Sequence, residues 1–442
     1  MRPADVPPAR VLRHPLGTRV DPAAAWQALL ADEPRSFWLD SAQGGGTSYL
    51  GAGGEVVGGP DVLDTLRLRL AERRVDAAAD GFALGWVGWL GYELRGSTMG
   101  APVTRTSRYP DAAMMFVDRA VAFDHDTGEV TLLALGAAWS GELLEWRESV
   151  SVRLRDAGAP PRPGAPTPAT AVWAYDDAEY LGMIDECQRA IRAGDAYQLC
   201  LTTEASIDGD LDPFATYLAL RASSPAHHGA LLCVDGVALL SASPEQFLSV
   251  SPDGVVESRP IKGTRPRGAT PAEDAALGAE LLVSDKERAE NLMIVDLMRN
   301  DIGRVSEIGS VTVPSLFAVE SYRHVHQLVS TVRGTLVPGL DAVDAVAACF
   351  PAGSMTGAPK RSATDILDRL ERRPRGIYAG AFGYLGLDGR VDLGMVIRSI
   401  VIDAAGATLG AGGGITALSV PEEELAEVRL KAAALLAVLG AA

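Results

Sequence analysis

Cysteine is scarce in this 442-residue chain. The four residues, Cys187, Cys200, Cys233 and Cys349, lie far apart and form no CxxC pair. They supply neither a disulfide framework nor a cysteine-based zinc site, and they fit a reducing cytosol. Histidine is also sparse: six residues with no metal-ligand spacing, so His227-His228 and His324/His326 read as surface or packing residues. No Ser/His/Asp nucleophile motif is present, and no period of solenoid type. The longest apolar run near an end, AAALLAVLGAA, is too short to span a bilayer. The opening stretch, MRPADVPPARVLRHPL, lacks the apolar core of a signal peptide. A cytoplasmic protein with no membrane partner is expected. Positive charge is in deficit: 40 Lys and Arg against 57 Asp and Glu give a formal net charge of −17. Nucleic acid is therefore excluded as a general partner, because phosphate binding needs a basic face. Basic clusters in so acidic a chain become informative.

What is present is ordinary globular material, 47% hydrophobic and 22% charged, in a chain long enough for a large core and two or three domains. Residues 156–171, DAGAPPRPGAPTPATA, form a proline-rich linker. It divides a β-rich N-terminal domain, 1–155, from a C-terminal domain, 172–442. In the N-terminal part SFWLDSA (36–42) and FALGWVGWLGYEL (82–94) read as strands with glycine-rich turns. The C-terminal part opens on a helix with Asp176 as N-cap and Glu179 as its capping-box partner. Tyr180, Ile184, Cys187 and Ile191 follow at 3–4 spacing, and Gly194 stops the helix. A strand follows at 197–207, then helices at 285–301 and 359–373, with Pro359 in the first turn of the latter. IYAGAFGYLGL, Asp388-Gly389 and RVDLGMVIRSIVI predict a long hairpin with a type I′ turn. A glycine-rich strand (407–416) leads into a last helix near Pro421. Strands and helices mix without regular βαβ alternation, which predicts an α+β fold with largely antiparallel sheets.

Lys262 lies in SRPIKGTRPRG (258–268), between a strand-like approach and a Gly-Thr turn. Arg259, Arg265 and Arg267 stand within five residues of it. Such crowding, with burial, would favour a neutral, nucleophilic amine; the competing reading is a basic loop that binds anions. Glu287/Glu290 and Glu424/Glu427 are each spaced by three, on one face of a predicted helix. Four converging carboxylates suit a hard divalent cation such as Mg²⁺, although the same spacing is common on solvated helix faces. Pairing across Asp388-Gly389 sets Tyr378 opposite Ser399 and beside Arg398. A buried Arg398 needs a partner, and a substrate carboxylate or a structural ion pair would each serve. Gly353–Lys360 is no P-loop: Pro359 precedes the lysine and Arg361 takes the Ser/Thr position. Its backbone N–H groups at a helix start still suit a carboxylate. Gly412-Gly413-Gly414 lets a backbone approach a ligand closely.

Together these segments resemble one family, the chorismate-utilising enzymes, which include anthranilate, aminodeoxychorismate, isochorismate and salicylate synthases. The matching stretches are GDAYQLCLT, SASPEQFLSV, SRPIKGTRPR, DKERAENLMIVDLMRNDIGRV, VHQLVSTVRG, FPAGSMTGAPKRSA, GIYAGAFGYLG, VDLGMVIRS and GAGGGIT followed by PEEELAEV. They cover about residues 175–435, while FWLDSA and GWVGWLGYEL match more loosely. The resemblance implies two large, mainly antiparallel sheets packed as a sandwich with helices outside. It implies Mg²⁺ on Glu287, Glu290, Glu424 and Glu427, and chorismate as substrate. Substrate contacts would fall on Thr264, Tyr378, Arg398, Gly414, Gln198 and Lys360.

Two positions separate the family by chemistry. Water-using members carry a basic lysine at the place of Gln198, and glutamine points to ammonia instead. Lys262 stands where anthranilate synthases carry alanine and aminodeoxychorismate synthases typically carry a lysine nucleophile. Glu245, in the SPE segment, falls on the family's acid/base. One departure is Gln327, at the place of a histidine associated with pyruvate elimination; His326 beside it receives no catalytic role. The resemblance thus implies amination of chorismate to 4-amino-4-deoxychorismate, a product that keeps its enolpyruvyl group and passes to a separate lyase. None of the cysteines sits in a glycine-flanked nucleophile turn, so ammonia is expected from a separate glutamine amidotransferase subunit. Two alternatives stay open: amination at carbon 2, as in an anthranilate or 2-amino-2-deoxyisochorismate synthase, or a silent subunit that only binds an aromatic ligand. FWLDSA is the place of a tryptophan site in related enzymes.

Overall fold

The computed structural model describes residues 9–41, 45–76, 81–100, 103–322 and 325–441. His324, Ala42 and most of the opening segment lie outside them. Alternation of side chains across strands builds two sheets, of twelve and ten strands, and every pairing among the described residues is antiparallel. Strand His228–Val234 shows why: Leu231 joins one core and Ala230 and Leu232 join another. Period-2 alternation with both faces covered produces its near-continuous apolar run. The core between the sheets contains Phe37, Trp89, Leu232, Phe382 and Val401. Helices cover the outer faces. Those at Asp177–Ala193, Pro213–Ser223, Lys360–Glu371 and Pro421–Val438 pack on the larger sheet. Val62–Glu72, Asp285–Gly303 and Ala342–Cys349 pack on the smaller one. The α+β sandwich expected from the sequence is the observed architecture.

Both sheets run across the proline-rich stretch, which holds no helix or strand from 157 to 171. Strand Arg35–Asp40 pairs with His228–Val234, setting Trp38 opposite Leu231. Strand Gly85–Leu90 pairs with Ala381–Gly386, setting Trp89 opposite Phe382. Fully buried tryptophans, Trp38, Trp86 and Trp89, fill these seams, each removing a large apolar area from water.

The first helix of the C-terminal part forms as expected, with Asp176 accepting the Glu179 amide at 2.8 Å and Gly194 closing it at φ 86°. The Glu179 carboxylate does not complete a capping box; it pairs with Arg372. Pro359 is the N-cap of helix Lys360–Glu371 rather than a residue of its first turn.

The long hairpin differs more. Ala381 faces Met395, one residue away from the expected register. Only Gly389 of the turn adopts a left-handed φ, 87°, and four residues separate the strands, so the turn is not the two-residue type I′ form. The second arm also splits. Val391–Met395 belongs to the ten-stranded sheet and Ser399–Asp403 to the twelve-stranded one. Arg398 sits at the crossing with φ 51°. A strand continued through it would bury a guanidinium between two covered faces; the break releases the side chain, while its carbonyl still accepts from Ala242 N–H at 3.1 Å.

One buried ion pair ties these layers. Glu371 and Arg375 are 2% and 3% exposed and bond twice, at 2.7 and 2.8 Å. The Arg375 guanidinium also donates to the carbonyls of Met355 and Cys200, and Glu371 accepts the Thr202 amide at 2.9 Å. Its face lies 4.4 Å over the Tyr92 ring. Breaking a buried pair by removing one partner leaves an uncompensated charge. Glu371→Ala is therefore expected to destabilise the protein by about 3–5 kcal/mol, seen as a lower urea midpoint.

Candidate active site

Lys262 is on strand Ile261–Pro266, which pairs with Val325–Thr335. The pairing slips between Lys262, opposite Leu328, and Thr264, opposite Gln327, because Gly263 forms a bulge at φ 75°. A Cβ at Gly263 would lie 2.8 Å from Leu281 and 2.9 Å from the Glu287 carboxyl, so the bulge requires glycine. It re-aims Lys262 relative to Thr264, which is exposed. The lysine ammonium lies 3.9 Å from Glu290 Oε2, with the two side chains 17% and 15% exposed. The three arginines do not crowd it as the sequence suggested. Arg259 pairs with Glu320, Arg265 with Glu280 (2.7 Å) and Glu287 (3.5 Å), and Arg267 with Asp274 (2.7 Å). Each cation is claimed by a carboxylate that tertiary structure brings to it.

Two further residues meet Lys262 across the sheets. Strand Gln198–Asp208 pairs with the glycine-rich strand Gly406–Ile415, with Cys200 opposite Gly414. A Cβ at Gly414 would come within 2.2 Å of Gln198 Nε2 and 3.7 Å of Lys262 Nζ. The absence of a side chain there opens the space between amide and amine. Gln198 is 1% exposed and its Oε1 has no hydrogen-bond partner. Such a buried acceptor is costly without a ligand or solvent molecule to donate to it. Glu245, on the turn after strand Val237–Ser243, is held by Ser354 and the Ile261 amide. Burial pushes its carboxyl up to about 7, against the opposing pull of Lys262 and these hydrogen bonds.

Tyr378 and Arg398 occupy the two turns at the open end of the hairpin. The Tyr378 ring lies flat against the glycine strand: a Cβ at Gly410 would fall 2.2 Å from its Cγ. Arg398 is reachable by solvent yet crowded by protein, and this desolvation lowers its pKa despite the raising influence of Tyr378 and Glu427. Lys360 is held elsewhere, by Asp301 at 2.5 Å and the Cys349 carbonyl at 3.0 Å. Both nitrogens of His326 are engaged, by Ser321 at 2.8 Å and Asp274 at 2.9 Å.

The glutamate pairs come from helices Asp285–Gly303 and Pro421–Val438. Burial raises the Glu290 pKa; Lys262 opposes this, and Glu287 and Glu424 add repulsion. Burial also pushes Glu427 up, but Lys431 at 2.7 Å, with Lys286 and Lys262, outweighs it and holds the pKa below the usual value. Glu424 accepts from Ser419 at 2.7 Å. Among the described residues no three acidic, histidine or cysteine groups stand together as a ligand shell. Mutually repelling oxygen donors nonetheless suit a hard cation in charge and chemistry, once their present partners yield.

Sequence reasoning missed Ser354 as a partner of Glu245, and it missed the Glu371–Arg375 clamp. The clamp had a signal: Glu371 and Arg375 are four apart, and Arg375 precedes the apolar run containing Tyr378. Leu39, Asp40 and Ser41 of the FWLDSA segment line a separate cavity of about 300 Å³ with Tyr49, His228 and Tyr384.

The model of the chorismate binding enzyme family matches residues 24–437. Aminodeoxychorismate synthases of Streptomyces pristinaespiralis and Streptomyces griseus are each 43% identical, over 95% and 98% of this chain. The chain spans less than two thirds of their length, 64% and 65%. Anthranilate synthase component 1 of Mycobacterium tuberculosis is 34% identical over 98% of this chain and 93% of its own. Among solved structures, anthranilate synthase component I from Streptococcus pneumoniae superposes with a TM-score of 0.74 at 28% identity, covering 98% of this chain and 94% of the other. The menaquinone-specific isochorismate synthase of Escherichia coli has the same fold, with a TM-score of 0.74 at 21% identity and coverage of 98% and 95%. No helix among the described residues is long and apolar enough to cross a membrane. By its motifs, its two-sheet fold and these relatives, the chain belongs to the chorismate-utilising enzymes.

Proposed function

We propose that this chain aminates chorismate at carbon 4, forming 4-amino-4-deoxychorismate with Lys262 as covalent nucleophile. The observation that carries the reading is the meeting of the Lys262 amine with Gln198, whose Oε1 is unpartnered, over Gly414. In this reading Lys262, once it has given up a proton, attacks ring carbon 2. Both ring double bonds shift, from carbons 1–2 and 5–6 to carbons 1–6 and 4–5, and the carbon 4–oxygen bond breaks. Glu245, protonated, supplies the proton with which the 4-hydroxyl departs as water. Ammonia then adds at carbon 4, both double bonds return, the carbon 2–nitrogen bond breaks to release Lys262, and the proton shed by the new ammonium restores Glu245. Gln198 Oε1 can accept an N–H from ammonia and has no proton-abstracting capacity toward water. Tyr378 and Arg398 would hold the enolpyruvyl carboxylate. Glu287, Glu290, Glu424 and Glu427 would hold Mg²⁺, which when bound supplies charge neutralisation for the ring carboxylate. Ammonia would come from a separate glutamine amidotransferase subunit, with the product passing to a lyase in the cytoplasm. Similarity to proteins named aminodeoxychorismate synthase supports this reading over the carbon 2 alternative.

Incubation with chorismate, ammonium and Mg²⁺ is expected to yield a product of aminodeoxychorismate mass aminated at carbon 4. Anthranilate as main product would overturn the reading. Lys262→Ala should lose about 10²-fold or more of this activity, the scale of a positioned catalytic group, and intact-protein mass spectrometry should trap the adduct only with Lys262 present. Full retention of carbon 4 amination in that variant would sink the covalent step.

Glu245 makes a second expectation. With its pKa at about 7, the acid is lost as pH rises through neutrality, so the rate should fall on that limb and flatten in Glu245→Gln. The folded pKa is raised above the unfolded value of 4.5. Its contribution therefore favours folding below the unfolded pKa and is lost as pH rises from there to about 7. Relative to wild type, Glu245→Gln should gain up to about 3 kcal/mol of stability between pH 4 and pH 8, read by denaturant titration at each pH.

A further inference from the structure

Glu93 is a carboxylate of the N-terminal part that is 5% exposed, on the short turn of GYEL after strand Gly85–Leu90. Its two oxygens each accept one backbone N–H from the catalytic part: Arg375 N to Oε1 and Gly376 N to Oε2, both at 2.9 Å. The Tyr92 amide returns a bond to the Gly376 carbonyl at 2.8 Å. Two residues after Gly376 comes Tyr378. The far side of that turn is pinned by Ala379 N–H to Val396 O and by Val396 N–H to Gly380 O, both 2.9 Å. Val396 lies two residues before Arg398. The turn that carries Tyr378 is thus bracketed by Glu93 on one side and by the approach to Arg398 on the other. Both oxygens of Glu93 serve this turn's main chain.

A carboxylate suits this task better than any neutral side chain. It offers an acceptor at both oxygens, in the bidentate geometry that two successive amides present. Glutamine would turn an N–H₂ donor toward one of those amides, and aspartate is one methylene short. Burial raises the Glu93 pKa, with the two amides opposing that shift.

We propose that Glu93 is a positioning residue: through the Arg375 and Gly376 amides it sets Tyr378, and with it Arg398, for the substrate carboxylate. This rests on the assignment of Tyr378 and Arg398 to chorismate. It makes the N-terminal part a structural participant in substrate binding.

The test is a double-mutant cycle between Glu93→Gln and Tyr378→Phe, with chorismate and ammonium varied separately. Glu93→Gln is expected to lower kcat/KM for chorismate by tenfold or more, mainly through KM, and to leave the KM for ammonium within twofold. In the Tyr378→Phe background the same change should cost at least threefold less than in wild type, because the part of its route that runs through the tyrosine hydroxyl is already cut. A loss that persists undiminished in that background, or a chorismate KM within twofold of wild type, overturns the inference. If Glu93→Gln does not accumulate folded, Glu93→Asp goes through the same cycle under the same criteria. If wild type binds chorismate without turning it over, the proposed function fails, and the cycle is read from chorismate dissociation constants by equilibrium dialysis.

Discussion

The buried pair of Glu371 and Arg375 is the constraint on which the other parts converge. Charges removed from water need partners at good geometry, and here the partners come from every layer. They are the Thr202 amide and Cys200 carbonyl of a central strand, the Met355 carbonyl of the loop carrying Ser354, and the face of Tyr92. Satisfying one guanidinium therefore fixes the relation between helix Lys360–Glu371, strand Gln198–Asp208 and the Tyr378 turn. The strand carries Gln198 and the turn carries Tyr378. A low-dielectric setting makes the arrangement stiff, since any displaced member leaves a polar group unpaired.

Around this joint the site is formed by absences as much as by side chains. Gly410 admits the ring of Tyr378, Gly413 faces Glu424 with 3.1 Å for a Cβ, and Gly414 leaves the space shared by Gln198 and Lys262. On a strand, alternate positions face opposite sides. The glycines at 410 and 414 thus serve one face and Gly413 the other. The charges are arranged for exchange: Lys262 faces Glu290, Arg265 faces Glu287 and Lys431 faces Glu427. A dicarboxylate substrate with a divalent cation would recombine these pairs, cation with carboxylate, without importing net charge of one sign.

Much of this was legible in the residues. Helix caps at Asp176, the Gly194 stop and the Pro421 start follow from local chemistry that needs no partner. Helix spacing put each glutamate pair on one face. The segments around Lys262, Gln198 and Glu245 were identifiable by resemblance. Less legible was anything set by competition between sheets. The arm containing Arg398 reads as one apolar strand because each half is buried, but the halves belong to different sheets. Lys360, a cation at a helix start, became the partner of Asp301, a residue 59 positions away that local pattern does not connect to it.

By itself the sequence determined the elements and the chemical groups available: an acidic chain with a lysine before a Gly-Thr turn, two glutamate pairs and a glycine-rich strand. Local propensity and periodicity act over a few residues, so these features are readable without a fold. Which charges neutralise which was decided only by the tertiary structure. The arginines beside Lys262 in sequence are drawn off by Glu320, Glu280 and Asp274, and its nearest carboxylate comes from a helix over twenty residues on. Electrostatic partnership depends on distance in space and on burial, and neither is encoded in local spacing.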